Sequence, residues 1–401
     1  MAFAGAGRVN QDHLRGYLSF ADVQIVAVSD PDQWRRESFR QTIETTYAER
    51  KENGQYKGCD IYHGFHEMLD RPDIDAIHMA TGENWHGVGT VMCAKAGKHI
   101  YVEKPSSYSI TEALAAIEAV RRYGIVAQVG YQQRSTINFQ FVCDLVRKEK
   151  FGKIKTIYII GDGASADIDL PAEPTPPTLD WNLWLGPSPE RPFSNRLHYL
   201  GNPLNVVPWH FCRDIGLGGL GSGASHAFDV VHWGLGLDTS GPLEIIPRDH
   251  APYLTYKYPN DVTLQVVHGR LDPNVHDIPE GFDPITHICP FGAVFVGEEG
   301  WIHVGRMGYV KAYPAEIARD RPGRFEQSKN HARDWIDSIR LQRRPACDID
   351  IGNHSTIVAI LGNIAYWLNR PLKWDPVKNE FLDDDEANRL RGRVLREPWT
   401  L

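Results

Sequence analysis

The stretch MAFAGAGRVN, residues 1–10, runs from a short apolar segment into a glycine-rich turn and then into a helical pattern. Gly5 permits the tight turn, and Gly7 leaves room for a ligand at the start of the helix. Free backbone N–H groups at such a terminus attract anions. Asn10 stands where the usual fingerprint has its third glycine, so this stretch alone is equally typical of a purely structural turn.

Four similar apolar runs follow, each ending in small or polar residues, at 24–30, 76–82, 99–105 and 125–130. Helical patterns at 86–97 and 111–124 separate the later runs. This alternation predicts a parallel sheet with helices on both faces. We therefore expect residues 1–130 to form a Rossmann dinucleotide-binding domain.

The pattern changes near residue 150, where an apolar run is followed by a segment rich in proline and tryptophan. Alternating apolar positions then predict antiparallel strands at 261–269, 293–305 and 308–314. Helical periodicity predicts helices at 330–341 and 354–369. We expect residues 131–374 to form an α/β domain with a large, mostly antiparallel open sheet, and residues 375–401 to form a tail that packs back on the protein. A second subunit is expected to cover the outer face of the sheet, because a large apolar face in water promotes association.

The composition excludes some classes of protein. A net charge of −8 argues against a nucleic-acid partner, which needs a basic face. Six scattered cysteines without a C-x-x-C pair predict reduced thiols, not a disulfide framework or a zinc site. No run approaches the roughly 18 apolar residues that span a bilayer. We predict a cytoplasmic protein without a membrane partner, and a removed export signal stays an open alternative.

Asp30 ends the second apolar run, 23 residues after Gly7. A carboxylate at this place accepts hydrogen bonds from the adenosine ribose and repels a 2′-phosphate, which favours NAD over NADP as the cofactor. Two alternatives stay open. Asp30 is only a turn former before Pro31, or Asp32 and Arg35 alter the preference between the two cofactors.

The stretch YVEKPSS, residues 101–107, places Lys104 at the carboxyl end of a predicted strand. Ligands bind at such ends in open parallel sheets. A fixed cation there would stabilise negative charge that develops on a substrate oxygen. The alternative is a surface lysine whose ammonium reaches into water. Glu103 is expected to position the loop, and the Lys104–Pro105 peptide is a candidate cis bond.

Together these motifs resemble the Gfo/Idh/MocA oxidoreductase family over nearly the full length of the chain. The resemblance rests on Glu-Lys-Pro and on GENWHGVG (82–89), QVGYQQRS (128–135), WNLWLGP (181–187), SHAFDVVHWGLGLDTSGP (225–242) and REPWTL (396–401). It implies that Lys104 contacts the substrate and the nicotinamide ribose. It also implies that His86 lies near the cofactor, although a helix-start histidine bound to the backbone is the alternative. The expected cofactor contacts are Gly5, Gly7, Arg8, Val9, Asp30, Thr81, Trp85, His86, Glu103, Lys104 and Gln132.

The stretch at 214–233 carries the second half of the expected site. The family has an Asp-x-x-x-His pattern here, with the histidine as acid/base. His226 matches that histidine, but Ser222 stands in the place of the acid. A carboxylate would raise the pKa of the imidazole and fix its tautomer, whereas a serine does so weakly. Asp229 or Asp214 is a candidate for the missing carboxylate; altered chemistry, or a histidine that only packs on the sheet, is the alternative.

Aromatic faces stack on the C–H surfaces of sugars, and charged side chains bind sugar hydroxyls. The expected substrate contacts are Arg134, Trp209, His210, Arg213 and Asp229. Trp181 and Trp184 are expected in the core. No metal is expected, because the spacing of the candidate ligands matches no familiar site; these candidates are His210, Cys212, His226 and His232.

The predicted function is NAD-dependent oxidation or reduction of a secondary hydroxyl on a sugar, glycoside or cyclitol. His226 would handle the proton while Lys104 stabilises the oxygen. The first alternative is an NAD-dependent glycosidase that works by transient oxidation at C3 and elimination. The second is a non-catalytic NAD-binding protein. We expect a carbohydrate substrate and a homodimer or homotetramer.

Overall fold

The computed structural model describes residues 1–161, 163–198, 208–323 and 330–401. Within these ranges the strands form two sheets, one of six strands and one of nine. The elements of the first half are β1 (Ala2–Ala4), α1 (Arg8–Leu18), β2 (Ala27–Ser29), α2 (Gln33–Thr46), α3 (Ala48–Glu52), β3 (Asp60–Tyr62), β4 (Ala76–Met79), α4 (Glu83–Lys95), β5 (His99–Val102), α5 (Ile110–Tyr123) and β6 (Ala127–Val129).

The six-stranded sheet is parallel throughout and has the order β3-β2-β1-β4-β5-β6. Successive side chains of β1 point to opposite faces of this sheet. Phe3 belongs to a core with Leu14 of α1 and Phe39 of α2. Ala4 belongs to a second core with Val91 of α4 and other residues of α4 and α5. The sheet is therefore covered on both faces, which confirms the predicted Rossmann fold.

The elements of the second half are α6 (Ile137–Arg147), β7 (Ile154–Ile160), α7 (Trp181–Leu185), α8 (Ser225–Leu235), β8 (Glu244–Ile246), β9 (Leu254–Lys257), β10 (Thr263–Val267), β11 (Ala293–Gly297), β12 (Gly300–Val304), β13 (Val310–Tyr313), α9 (His331–Leu341), α10 (Ile349–Leu368), β14 (Leu372–Asp375), β15 (Glu380–Phe381) and α11 (Asp385–Arg389). The nine-stranded sheet has the order β13-β12-β11-β7-β10-β9-β8-β14-β15. Among the described strands of this nine-stranded sheet, only the pair β7–β10 is parallel, and the other pairs are antiparallel. This confirms the prediction of a large, mostly antiparallel sheet.

One face of the large sheet packs on helices. Ile157 of β7 and Phe295 of β11 share the largest core with Phe228 of α8 and Ile360 of α10. A smaller core holds α7, where Trp181 and Trp184 stack with ring centroids 4.6 Å apart. These tryptophans are therefore structural, as predicted.

The outer face of the sheet bears on our expectation of a covering subunit. The long segment 268–292, which has neither helix nor strand, lies over the apolar part of this face. Its Phe282 packs against Trp301 of β12, and the Trp301 Nε1 donates a 2.9 Å hydrogen bond to the carbonyl oxygen of Glu280. The chain thus covers the apolar part of this face itself, so an uncovered apolar surface is not the reason to expect a second subunit there.

Two later segments return to the first domain. In α9, Trp335 packs edge-on against Tyr17 and Tyr101, with ring centroids 6.2 and 5.7 Å apart. Near the end of the chain, Trp399 packs against Trp85 of α4 with centroids 4.6 Å apart. These contacts tie the second half of the chain to the Rossmann sheet on both of its faces.

We predict that Trp301→Ala destabilises the protein by about 3–5 kcal/mol, because it removes a buried indole on which the segment 268–292 packs. Ile285→Ala is the matched control, because Ile285 lies in the same segment and is 70% exposed. The control should change the free energy of unfolding by no more than about 0.5 kcal/mol. Urea unfolding measures both, and equal effects of the two substitutions would show that the segment does not cover the sheet.

Candidate active site

The candidate site lies at the carboxyl ends of β1, β4, β5 and β6, next to the second domain. Lys104 follows β5, and its Nζ donates a 2.7 Å hydrogen bond to the carbonyl oxygen of Ser222. Ser222 lies in a π-helical turn, Leu220–Ala224, that continues into α8 and reaches His226. The bond joins the two domains at the edge where ligands bind in this architecture.

The glycine turn between β1 and α1 is packed tightly on one side and open on the other. Gly5 has φ +86°, and a Cβ there would lie 2.6 Å from the carbonyl oxygen of Ala80. A Cβ on Gly7 would meet nothing nearer than Nη1 of Arg35, at 3.8 Å. The backbone at the start of α1 is therefore accessible to a diphosphate, as a bound dinucleotide requires.

Asn10 explains how the turn does without its third glycine. The side chain is fully buried, and its Nδ2 donates to the carbonyl oxygens of Ala4 and Gly5 at 2.9 and 2.5 Å. It thereby holds the turn against the end of β1. Of the other residues expected at the cofactor, Arg8 and Val9 are exposed at the start of α1, and Thr81 after β4 is half-buried; the list of cofactor contacts stays a prediction.

Asp30 braces the glycine turn. Its Oδ2 accepts a 2.7 Å hydrogen bond from the backbone N–H of Ala6, and its Oδ1 accepts one of 2.9 Å from that of Asp32. Burial raises the pKa of Asp30 above its ordinary value. Asp32 caps α2 and lies 3.4 Å from Arg35 and 3.2 Å from His198. Two carboxylates at this end of the sheet fit an adenosine ribose better than a 2′-phosphate.

Glu103 fixes the loop that carries Lys104. Its carboxylate accepts hydrogen bonds from Nε2 of Gln132 at 3.0 Å and from the backbone N–H of Lys104 at 3.1 Å. Nε2 of His13 lies 3.2 Å away. Although burial acts to raise the pKa of Glu103, His13 and Lys104 hold it below its ordinary value. The glutamate is therefore ionised at neutral pH.

Lys104 lies inside the protein, where the charges of two carboxylates act on it. The Lys104–Pro105 peptide is cis, as predicted. Burial lowers the pKa of the Lys104 ammonium, and the negative charges of Glu103 and Glu83 oppose that change. The ammonium can therefore act as a fixed positive charge beside a bound oxygen.

His226 is buried between two aromatic rings. The rings of Tyr131 and Phe291 meet it edge-on, with centroids 5.6 and 5.3 Å away. Its Nε2 lies 3.4 Å from Nη2 of Arg306, and its Nδ1 has no hydrogen-bond partner among the described residues. Burial, followed by the positive charges of Lys104 and Arg306, holds the pKa of His226 well below its ordinary value. The imidazole is neutral at physiological pH.

Asp229 does not supply the missing carboxylate, and this corrects two expected substrate contacts. Both Asp229 oxygens accept from Nε of Arg134 at 2.9 Å, and Oδ1 also accepts from Ser355 at 2.9 Å. Nη2 of Arg134 donates to Asp238 at 2.8 Å. Asp229 and Arg134 are 0% and 4% exposed. They satisfy each other in the interior and are not available to a sugar.

Glu83 is a second carboxylate of the Rossmann domain whose charge acts on Lys104. It lies in the first turn of α4, and its Oε2 accepts a 2.7 Å hydrogen bond from the backbone N–H of Leu217. Burial raises its pKa to about 7, and Lys104 acts in the opposite direction. Asp214, the other candidate named from the sequence, instead pairs with Arg191 at 3.2 Å.

Two of the residues expected near the cofactor have structural contacts. Nδ1 of His86 lies 2.7 Å from the carbonyl oxygen of Pro105, which matches the alternative of a helix-start histidine bound to the backbone. Trp85 is 5% exposed and packs on Phe65 and Trp399. Its side chain supports the end of the chain, and its contact with the cofactor stays a prediction.

The remaining substrate candidates lie apart from Lys104. Trp209 and His210 are half-buried in one turn, Pro208–Phe211, directly after the undescribed residues 199–207. The Arg213 guanidinium stacks over the Trp367 ring at 4.3 Å. It lines a separate cavity of about 240 Å³, whose lining contains neither predicted catalytic residue. The contact of Arg213 with the substrate stays a prediction.

Two sequence profiles of one family match this chain. The first describes an oxidoreductase family with an NAD-binding Rossmann fold and matches residues 1–131. The second describes the C-terminal α/β domain of the same family and matches residues 308–401. The chain belongs to the Gfo/Idh/MocA oxidoreductase family. Its first domain is the NAD-binding domain of that family, which confirms NAD as the predicted cofactor.

Relatives within the Gfo/Idh/MocA family are similar over part of their length. Scyllo-inositol 2-dehydrogenase (NAD(+)) of Bacillus subtilis is 32% identical over 162 residues, 40% of this chain and 43% of that protein. Myo-inositol 2-dehydrogenase of Thermotoga maritima is 25% identical over 177 residues, 44% of this chain and 46% of that protein. This chain therefore spans less than half the length of the curated relatives that it matches.

Similarity to solved structures extends over almost the whole fold. The aldose-aldose oxidoreductase from Caulobacter crescentus aligns with 93% of this chain and 99% of its own, with a TM-score of 0.59 and 16% identity. At this identity the similarity concerns the fold alone.

Three further properties concern metals, thiols and membranes. The residues that the structure describes contain no group of three or more histidine, cysteine, aspartate or glutamate side chains suited to a metal ion. All six cysteines lie in the described ranges and are free thiols. No helix in those ranges is long and apolar enough to cross a bilayer.

We predict that Glu83→Gln makes stability less dependent on pH. The glutamine still accepts from Leu217, but it cannot ionise. An unfolded glutamate ionises near pH 4.5 and Glu83 in the folded protein near pH 7, so the wild type loses stability between these values. From about pH 5 to pH 8 the variant should gain about 2–3 kcal/mol relative to the wild type.

Urea unfolding at both pH values measures this difference. Glu49→Gln, at an exposed position of α3, is the matched control and should follow the wild type. If Glu83→Gln also follows the wild type, then Glu83 is not a buried group with a raised pKa.

Proposed function

We propose that this protein is an NAD-dependent oxidoreductase that acts on a secondary hydroxyl of a sugar, glycoside or cyclitol. The observation that carries the proposal is the approach of two functional groups from different domains. Lys104 binds the carbonyl oxygen of Ser222, four residues before His226, and the charge of Lys104 acts on the pKa of that histidine. The family supplies the cofactor class, and the inositol dehydrogenase relatives favour a polyol substrate.

In this proposal each group has one task. Bound NAD would supply the acceptor or donor of the hydride. Lys104 holds the reacting oxygen and stabilises the negative charge that develops on it. Neutral His226 accepts the hydroxyl proton during oxidation, since a neutral imidazole within hydrogen-bond reach is a suitable base. Glu103 keeps the lysine loop in place through Gln132 and His13.

The Gly5–Gly7 turn and the first turn of α1 would hold the diphosphate. Asp30 and Asp32 would lie beside the adenosine ribose. We also propose a homodimer or homotetramer and a reducing, cytoplasmic location. Reduced conditions agree with six free cysteines, of which all but Cys289 are buried.

We predict that Lys104→Met and His226→Asn each lower kcat by about a hundredfold or more, because each removes a group that acts on the reacting oxygen. The affinity for NADH should stay within a few-fold of the wild type, since neither side chain is needed for the glycine turn. Lys95→Met is the matched control, because Lys95 lies exposed at the end of α4. Fluorescence titration measures NADH affinity, and absorbance of NADH measures turnover on a panel of sugars and inositols.

The same panel, extended with aryl glycosides, separates the three functions considered from the sequence. A dehydrogenase accumulates NADH, whereas a glycosidase releases the aglycone without net NADH. A protein that binds NADH but shows neither reaction with any panel member would contradict the proposal. Turnover that survives in Lys104→Met would contradict the role of the lysine.

We predict that kcat/KM for oxidation stays constant as the pH falls from about 8 to about 6.5. The base must be neutral, and burial, Lys104, Arg306 and His331 all hold the pKa of His226 well below its ordinary value. Protonation of the histidine therefore begins only at lower pH. A fall in kcat/KM centred near pH 6.5 that persists in variants replacing other histidines would show that the His226 imidazole titrates normally.

A further inference from the structure

We propose that the substrate of this site carries an anionic group, a carboxylate or a phosphate, and that Arg306 binds it. The proposal rests on the proposed function, because it names the substrate class of the same cleft. Arg306 would then decide which sugars or cyclitols the site accepts.

Arg306 lies in the turn between β12 and β13 and is held at the cleft by two contacts. Its Nη2 lies 3.4 Å from Nε2 of His226, and its guanidinium carbon lies 4.1 Å from the centroid of the Phe291 ring. Stacking on an aromatic face orients a guanidinium without consuming its hydrogen-bond donors. Nη2 donates to His226, and the remaining N–H groups of the guanidinium stay available beside the predicted proton acceptor.

Arg306 has no acidic partner among the residues that the structure describes. Two less exposed arginines do form such pairs, Arg134–Asp229 at 2.9 Å and Arg393–Glu112 at 2.8 Å. Arg306 is exposed, so a ligand can reach its guanidinium. An anion that arrives with the substrate would complete this pair, preferably in the bidentate geometry that guanidinium forms with carboxylate and phosphate.

The charges around the cleft also favour an anion. The positive charges of Lys104 and Arg306 both act on His226. The nearby carboxylate of Glu103 is already bound by Gln132, by the Lys104 backbone and by His13. The cleft thus offers positive donors and few free acceptors, whereas a neutral polyol would need both.

The test compares sugars that differ only in charge. Calorimetry on NADH-loaded protein measures the binding of D-glucuronate against D-glucose, D-galacturonate against D-galactose, and D-glucose 6-phosphate and inorganic phosphate as phosphate probes. The wild type should bind the better anionic member roughly ten- to a hundredfold more tightly than its neutral partner, as expected for a hydrogen bond between charged groups. The uronate and phosphate arms tell which anion the site prefers.

Arg306→Met should abolish this preference, measured as the ratio of the affinities for the anionic and the neutral sugar within the variant, because it removes the charge that pairs with the anion. Arg306→Lys should retain part of the preference, since it keeps the charge and loses the fork. Arg319→Met is the matched control, because Arg319 is exposed in the same domain and makes no side-chain ion pair among the described residues. Thermal unfolding of each variant checks that the fold is intact.

Three outcomes would overturn the proposal: neutral members that bind as tightly as anionic ones, no binding of any anionic probe, or an Arg306→Met variant that loses NADH affinity and keeps the preference. These outcomes are distinct from failure of the proposed function. NADH formation from neutral sugars, with no tighter binding of their anionic partners by the wild type, would leave the redox activity and remove the anion site. Binding of glucuronate that depends on Arg306, without NADH formation from any panel member, would leave the anion site and remove the redox activity.

Discussion

The hydrogen bond from Lys104 Nζ to the Ser222 carbonyl oxygen is the contact on which the account of the site depends. It crosses from the Rossmann sheet to the π-helical turn ahead of α8, so it fixes the lysine relative to His226. The Glu103 carboxylate contacts Gln132 and His13, and these contacts keep the loop that carries Lys104 in place. The ammonium is therefore bound on its protein side by one carbonyl, and a substrate oxygen would complete its coordination.

Burial explains why the groups around this bond have pKa values that differ from their ordinary ones. Burial lowers the pKa of Lys104 and of His226, and it raises the pKa of Glu83 to about 7. Each shift favours the neutral form, as desolvation requires. Arg306 adds a second cation that the protein leaves without an acid. An anionic ligand would supply a negative charge beside Arg306, so the charges of the site would decide which substrates bind.

The sequence was sufficient to predict the fold and the position of Lys104 at the end of a strand, because both follow from short-range patterns. Apolar runs with glycine at their ends define parallel strands, and a polar residue at a strand end must lie at the ligand edge. Arg306 was missed because it lies 80 residues from His226 and only the register of β12 and β13 brings it there. The Arg134–Asp229 pair spans 95 residues, so composition suggested two ligand contacts where the fold makes an internal ion pair. The covering segment 268–292 has no periodicity, which is why a second subunit was expected in its place.

The most direct test of the central claim is a crystal structure of the protein with NADH and a bound sugar acid. The decisive measurement is the pair of distances from one substrate oxygen, next to the nicotinamide ring, to Lys104 Nζ and to the nearer ring nitrogen of His226. The account predicts that both are hydrogen-bond distances, about 3 Å. A sugar oxygen that contacts only one of these nitrogens, or a sugar bound elsewhere while the cleft stays closed by the Lys104–Ser222 bond, would contradict it.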